Sequence, residues 1–260
     1  MKAIGRLGQI VLSGLDWLGG LTQMAFTILR AGPRRPWGID DIAAQMVHQG
    51  VRSLPIATFM SLFIGMILAW QFGYALKDFG ATMALGDASS LALVRELVPT
   101  LVALTVGAKM AAGMTAELGS MKVTEQIDAL RMSGVLPIDY LIVPRFIASV
   151  VMTLLLSVIG ALVMYVAGGL TAKSSFGVNP NLWFDISLVR PRHLALMSIK
   201  ALAYGAAIPI VAGFCGLRAR GSSEGVGWAT TAAVIGGSFA VIVLDFIISA
   251  AALFLYGGDL

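Results

Sequence analysis

Charge is what this sequence has least of. Only 12% of its 260 residues are Asp, Glu, Lys or Arg, whereas soluble domains run near a quarter, and that excludes a water-soluble globule. Cysteine occurs once, at Cys215, so neither an intramolecular disulfide framework nor a Cys-based zinc cluster can form. The two histidines, His48 and His193, lie far apart and are read as solvated; no metal site is expected. Nucleotide chemistry also lacks a carrier. There is no Gly-x4-Gly-Lys-Ser/Thr phosphate loop, indeed no Gly-Lys pair, so any ATP must be handled by another polypeptide. No catalytic constellation of the hydrolase kind is expected either.

What is present is apolar length: 58% of the residues are hydrophobic. Crossing about 30 Å of hydrocarbon takes roughly 20 apolar residues in a helix. Five stretches qualify, at about 54–76, 88–113, 146–172, 194–216 and 228–256. The fold class expected is therefore an all-α integral membrane protein. Residues 1–53 read as N-terminal interfacial amphipathic helices and 54–260 as a five-span domain. Leu7, Ile10, Val11, Leu15, Leu18 and Leu21 recur at helical spacing, with Trp17 and Phe26 suited to the headgroup boundary. Asp16 and the absence of a small-x-small cleavage pattern argue for retention of this segment rather than removal as a signal peptide. Gly-Pro-Arg-Arg-Pro at 32–36 breaks it, and a second short segment follows over 39–51.

Orientation follows from the 18 basic residues. With a cytoplasmic N-terminus, Lys2, Arg6, Arg30, Arg34, Arg35, Arg52, Lys109, Lys122, Arg131, Arg145, Arg218 and Arg220 fall inside. Only Lys77, Arg95, Lys173, Arg190, Arg192 and Lys200 fall outside. That asymmetry places the C-terminus on the far, periplasmic face. It also accounts for the basic excess without nucleic acid.

The longest inside connection, Thr115 to Arg145, is too structured for a linker. Glu117 to Met132 holds no proline and is rich in helix formers, Gly134 stands where a helix would stop, and Pro137 and Pro144 prevent continuation. A short cytoplasmic helix is expected there, exposing Glu117, Glu125 and Asp128, with Leu118, Met121, Ile127 and Leu130 available to pack. It is read either as a docking element or as an ordinary loop helix.

The run Ala116-Glu-Leu-Gly-Ser-Met-Lys-Val-Thr-Glu-Gln-Ile-Asp-Ala-Leu130, followed by Leu136-Pro and Val143-Pro-Arg, resembles the signature of the MlaE-type permeases. Arg95-Glu-Leu-Val-Pro99, Ser198-Ile-Lys200 and Leu244-Asp-Phe246 resemble motifs of that family's second, fourth and last spans. Trp228 departs from it, standing where a basic residue is expected. The resemblance implies the membrane subunit of an ABC system of the bacterial inner membrane. Such a system moves phospholipid between inner and outer membranes and maintains outer-membrane lipid asymmetry. It further implies a homodimer, a cytoplasmic ATPase subunit that carries the ATP, an MCE-domain lipid-binding subunit outside, and room for a small STAS-type accessory subunit. No cofactor is expected on the chain itself. ATPase coupling falls to Glu117, Glu125, Gln126 and Asp128.

Four ionisable groups lie within the spans. An unpaired charge at such a depth costs several kcal/mol. Arg95 and Glu96 sit about 10 Å from the outer end of the second span, Lys200 about 9 Å along the fourth and Asp245 roughly 16 Å along the fifth. Two readings stand: a neutral brace of two cations and two anions, or a site beside the lipid path in which Arg95 or Lys200 meets a phosphate headgroup. Met60, Met66, Met110, Met114, Met152 and Met164 suit either an acyl-chain cavity or core packing. The rival function is an ATPase-independent secondary transporter or channel, against which inverted repeats and paired broken helices are missing.

Overall fold

A computed structural model describes residues 2–31, 38–81, 84–185 and 187–256. The chain is helical along these segments, and five helical runs are long and apolar enough to cross a membrane: Ile39–Asp78, Leu85–Val123, Ile138–Phe176, Pro191–Leu217 and Ser223–Leu255. The first joins helix α2 (Ile39–Gln49) through a single tight turn at Val51–Ser53 to α3 (Leu54–Asp78). The short segment and first span expected from the sequence are thus one kinked unit. Gly50 stands at the joint, where a Cβ would overlap the Met152 side chain of the third span. The chain break expected at 32–36 lies outside the described residues.

The second span consists of α4 (Leu85–Ala92), a wide π turn (Leu93–Leu97) and α5 (Val98–Val123); the third opens with another π turn (Ile138–Ile142) before α7 (Val143–Phe176). Both π turns end two residues before a proline, Pro99 and Pro144. A proline cannot donate to the carbonyl four residues back and its ring crowds that carbonyl, so the preceding turn widens. The remaining helices are α1 (Lys2–Ala31), α6 (Gln126–Met132), α8 (Pro180–Trp183), α9 (Pro191–Leu217) and α10 (Ser223–Tyr256).

Small residues set the packing. Ala57, Ser61, Gly65, Ala69 and Gly73 are the buried residues of α3, one every four positions, and form a stripe against α7. A Cβ on Gly65 would overlap the Met164 carbonyl, so the two backbones touch. Phe59, Phe63, Ile67, Trp70 and Tyr74 point away from the bundle. α7 also packs on α9, and α5 packs between α9 and α10. At the end of the bundle bearing α4, Trp183 is buried. Its Nε1 donates to the Tyr165 carbonyl at 3.0 Å while the Tyr165 hydroxyl donates to the Trp183 carbonyl.

α1 lies along α9 and the second π turn. Its packed face is Trp17, Leu21, Met24 and Ile28, with Trp17 edge-on to Phe214 at 6.1 Å. Leu15, Leu18 and Phe26, expected to share one apolar face or boundary, are exposed. The side chains of Leu7, Ile10 and Val11 lie outside the described residues.

Candidate functional site

Three of the four intramembrane charges converge. Lys200 on α9 is 0% exposed. Its Nζ lies 2.5 Å from Glu96 Oε2, 2.8 Å from Asp245 Oδ1 and 3.0 Å from the Arg95 carbonyl oxygen. An ammonium has three donors; here Glu96 and the Arg95 carbonyl each accept a hydrogen bond, and Asp245 adds an ion-pair contact. The carbonyl acceptor is a consequence of Pro99. That residue stands four places after Arg95 and has no N–H to offer its carbonyl, so the carbonyl is free to accept from Lys200.

The carboxylates are also held by hydroxyls. Tyr204 donates its hydroxyl to Asp245 Oδ1 at 2.6 Å, and Ser249 donates to Glu96 Oε1 at 3.2 Å. Sequence reasoning missed both, although a signal existed: Tyr204 follows Lys200 by four residues and Ser249 follows Asp245 by four, which puts Tyr204 on the Lys200 face of α9 and Ser249 on the Asp245 face of α10. Glu96 keeps 44% and Asp245 24% of its side chain exposed, so the cluster opens to one side.

Arg95 does not join through its side chain. Adjacent helical residues point about 100° apart, so Arg95 and Glu96 cannot both face α9. The expected four-charge neutral brace is therefore corrected to a three-residue cluster, with one cation against two anions and formal charge −1, and Arg95 contributes only its carbonyl. Immediately beside it, an apolar cavity of about 400 Å³ is lined by Leu93, Val94, Val158, Leu162, Tyr165 and Met197. None of the six methionines singled out from the sequence lines it; Met110, Met114, Met152 and Met164 are core residues. His193, read as solvated, is buried with an unpartnered Nδ1, whereas His48 is exposed.

At the other end of the bundle, the expected single helix from Glu117 to Met132 is divided. Glu117 belongs to α5, which runs on to Val123, and its Oε2 lies 2.8 Å from Nη2 of the buried Arg145. The chain then turns at Glu125, whose φ of 60° is the one positive value at a non-glycine residue among those described. From that corner α6 runs back across the end of the bundle. Continuing α5 straight would carry Ile127 into solvent, whereas the corner buries it. Lys122 Nζ bridges the corner to Asp128 Oδ2 at 2.8 Å, and Arg131 adds a contact at 3.4 Å. Mainly through the Lys122 hydrogen bond, the Asp128 carboxyl is held below its ordinary pKa. Glu125 and Gln126 are exposed, as are the apolar Met132 and Leu136. Gly134, at φ 76°, ends the segment as expected.

The sequence reading finds no Gly-x-Ser-x-Gly, and this is corrected: Gly221-Ser222-Ser223-Glu224-Gly225 spells it. It opens α10 rather than linking a strand to a helix, and no hydrogen bond joins Ser223 to a histidine among the described residues. It therefore lacks the nucleophile-elbow context.

Polar groups sequestered between spans, small-residue helix contacts and a broken connection at one end define a polytopic helical membrane protein. The model of the MlaE permease family matches residues 42–251. The chain is 34% identical over 250 residues to the intermembrane phospholipid transport system permease protein MlaE of Haemophilus influenzae, covering 95% of this chain and 96% of that one. It is 36% identical over 210 residues to a probable ABC transporter permease protein of Synechocystis, covering 79% of each. It is also 33% identical over 207 residues to the chloroplastic protein TRIGALACTOSYLDIACYLGLYCEROL 1 of Arabidopsis thaliana, covering 79% of this chain and 59% of that one. The chain belongs to the MlaE permease family.

Proposed function

We propose that this chain is the membrane subunit of an ATP-driven ABC transporter that moves phospholipid between the inner and outer membranes of a bacterium. The observation that carries this reading is the similarity, over 95% of the chain, to a permease of an intermembrane phospholipid transport system. The N-terminus lies in the cytoplasm and the C-terminus in the periplasm, in line with the asymmetry of basic residues. Two copies form the path, and the exposed apolar face of α10, with Phe239, Phe246 and Phe254, suits lipid or a second copy. A separate ATPase docks on the corner formed by Glu117, Glu125, Gln126 and Asp128, and an MCE-domain subunit receives lipid outside. The Glu96–Lys200–Asp245 cluster braces the outer half of the path, and the apolar cavity beside it suits an acyl chain.

The test is coexpression with the partner ATPase followed by reconstitution. Phospholipid transfer between vesicles should require ATP and the second subunit. Glu125→Lys should reduce the copurified ATPase while membrane insertion stays normal. Transfer at full rate without ATP or ATPase would replace this reading with a secondary transporter.

A further inference from the structure

A second polar cluster lies at the opposite end of the bundle from Lys200, where α2, α5 and α7 meet. Glu117 is 21 residues beyond Glu96, which at 1.5 Å per residue places the two ends about 31 Å apart. A cavity of about 110 Å³ is lined there by Gln45, Gln49, Ser53, Lys109, Glu117 and Arg145, among others. It is larger than the roughly 10–15 Å³ a single water requires.

The donors around this cavity outnumber their partners. Arg145 is 5% exposed; its Nη2 is engaged by Glu117, yet its buried Nη1 has no hydrogen-bond partner. A buried guanidinium nitrogen left unpaired carries a desolvation penalty that an acceptor would remove. Lys109 is steered over the same cavity by bonds to the Arg52 carbonyl at 2.7 Å and Ser53 Oγ at 3.0 Å, which leave one of its three donors unused. Ser53 is anchored in turn on the Gln49 carbonyl at 2.6 Å, and Gln49 Nε2 donates to Gln45 Oε1 at 3.0 Å. The polar groups are therefore positioned before any ligand arrives.

The charge balance favours an anion. Lys109 and Arg145 face the single carboxylate of Glu117. Asp41 lines an adjoining cavity of about 150 Å³ that shares Gln45 and Arg145, but it forms no ion pair with that arginine. Access is open along α5, where Lys109, Gly113 and Glu117 are exposed at four-residue spacing and nothing lies within 4 Å of a Cβ built on Gly113.

We infer that this cavity binds a phosphate group, presented either as a phospholipid headgroup of the leaflet at that end or as free phosphate. Its oxygens accept from Arg145 Nη1 and from the remaining donor of Lys109; a forked guanidinium beside a point-charge ammonium matches phosphate chemistry. The inference does not depend on the chain transporting lipid: its donors, Arg145 and Lys109, belong neither to the Glu96–Lys200–Asp245 cluster nor to the proposed ATPase corner, with which the cavity shares only Glu117.

The test uses the full-length chain in detergent, titrated separately with dihexanoyl phosphatidylglycerol, inorganic phosphate and uncharged dihexanoyl glycerol, with bound ligand counted by native mass spectrometry. Lys109→Gln removes an exposed donor without touching the Glu117–Arg145 ion pair. Arg145→Gln with Glu117→Gln removes the pair together, so no charge is stranded. Binding of the phosphatidylglycerol should weaken about tenfold or more in each variant, and the uncharged lipid should show no such change. If inorganic phosphate shows that sensitivity and the lipid does not, the source is free phosphate and the site stands. Should the double variant fail to fold, Lys109→Gln alone decides. Unchanged affinity for both phosphate ligands in the stable variants, or no binding of either to the wild-type chain, overturns the inference.

Discussion

Pro99 and Lys200 meet at one carbonyl. The proline withholds the N–H that would otherwise bond to the Arg95 oxygen, and the Lys200 ammonium occupies that oxygen at 3.0 Å. The π turn at Leu93–Leu97 and the ion cluster are thus one device. It aims Glu96, rather than its neighbour Arg95, at α9.

Pro99→Ala should test that linkage. Restoring the donor lets the turn tighten toward a regular helix, which rotates Glu96 away from Lys200. Loss of one charge-assisted hydrogen bond is worth about 1.5–3 kcal/mol, so the melting temperature should fall even though alanine is the better helix former. A variant as stable as the wild type would show that the cluster does not depend on the proline.

Lys200→Met should destabilise the protein by about 3–5 kcal/mol, because it leaves two carboxylates in the bundle without their cation. Adding Asp245→Leu should restore only part of the loss, since Glu96 remains uncompensated. The triple change with Glu96→Gln should restore most of it. Detergent melting curves for the series check the order, and complete rescue by the double change would mean that Glu96 is not a member of the cluster.

The corner at Glu125 should loosen in acid. The folded-state pKa of Asp128 is depressed below its ordinary 3.8, so its contribution is present above that value and is lost as pH falls through the folded pKa. Amide hydrogen exchange across Gln126–Met132, corrected for intrinsic rates, should therefore accelerate toward low pH. Asp128→Asn should show the faster exchange already at neutral pH and little further change on acidification.

Gly65→Val should separate α3 from α7. The added side chain meets the Met164 backbone, which cannot move aside as a flexible side chain would. Overpacking of this kind costs about 1–3 kcal/mol. The same change at Gly113, where a Cβ meets nothing within 4 Å, should cost little beyond helix propensity. Equal melting temperatures for the two variants would contradict the close α3–α7 contact.

Much of the architecture was legible before any coordinates. Five uncharged or sparsely charged stretches announced the spans, Gly134 announced the end of the connecting segment, and the run from Ala116 to Leu130 carried the family resemblance. Hydropathy and helix-stop signals are local, so residues a few positions apart suffice to read them. The division of Glu117–Met132 was not legible, because every residue in it tolerates a helix. Only the burial of Ile127 and the Lys122–Asp128 bridge favour a corner at Glu125, despite its left-handed backbone.

The chain's composition and order were enough to establish that it lives in a membrane, crosses it five times and must place its intramembrane charges against partners. Which charges pair was left to the folded molecule. Glu96, Lys200 and Asp245 stand on three helices, and their meeting depends on the rotation of each helix about its axis. Tyr204 and Ser249 complete the cluster only because α9 and α10 present those faces to the same place. Likewise, nothing about Arg145 in isolation pairs it with Glu117 and leaves its second nitrogen facing no acceptor. A linear sequence encodes the period of a helix but not its rotation, which is set by where small residues let the backbones approach.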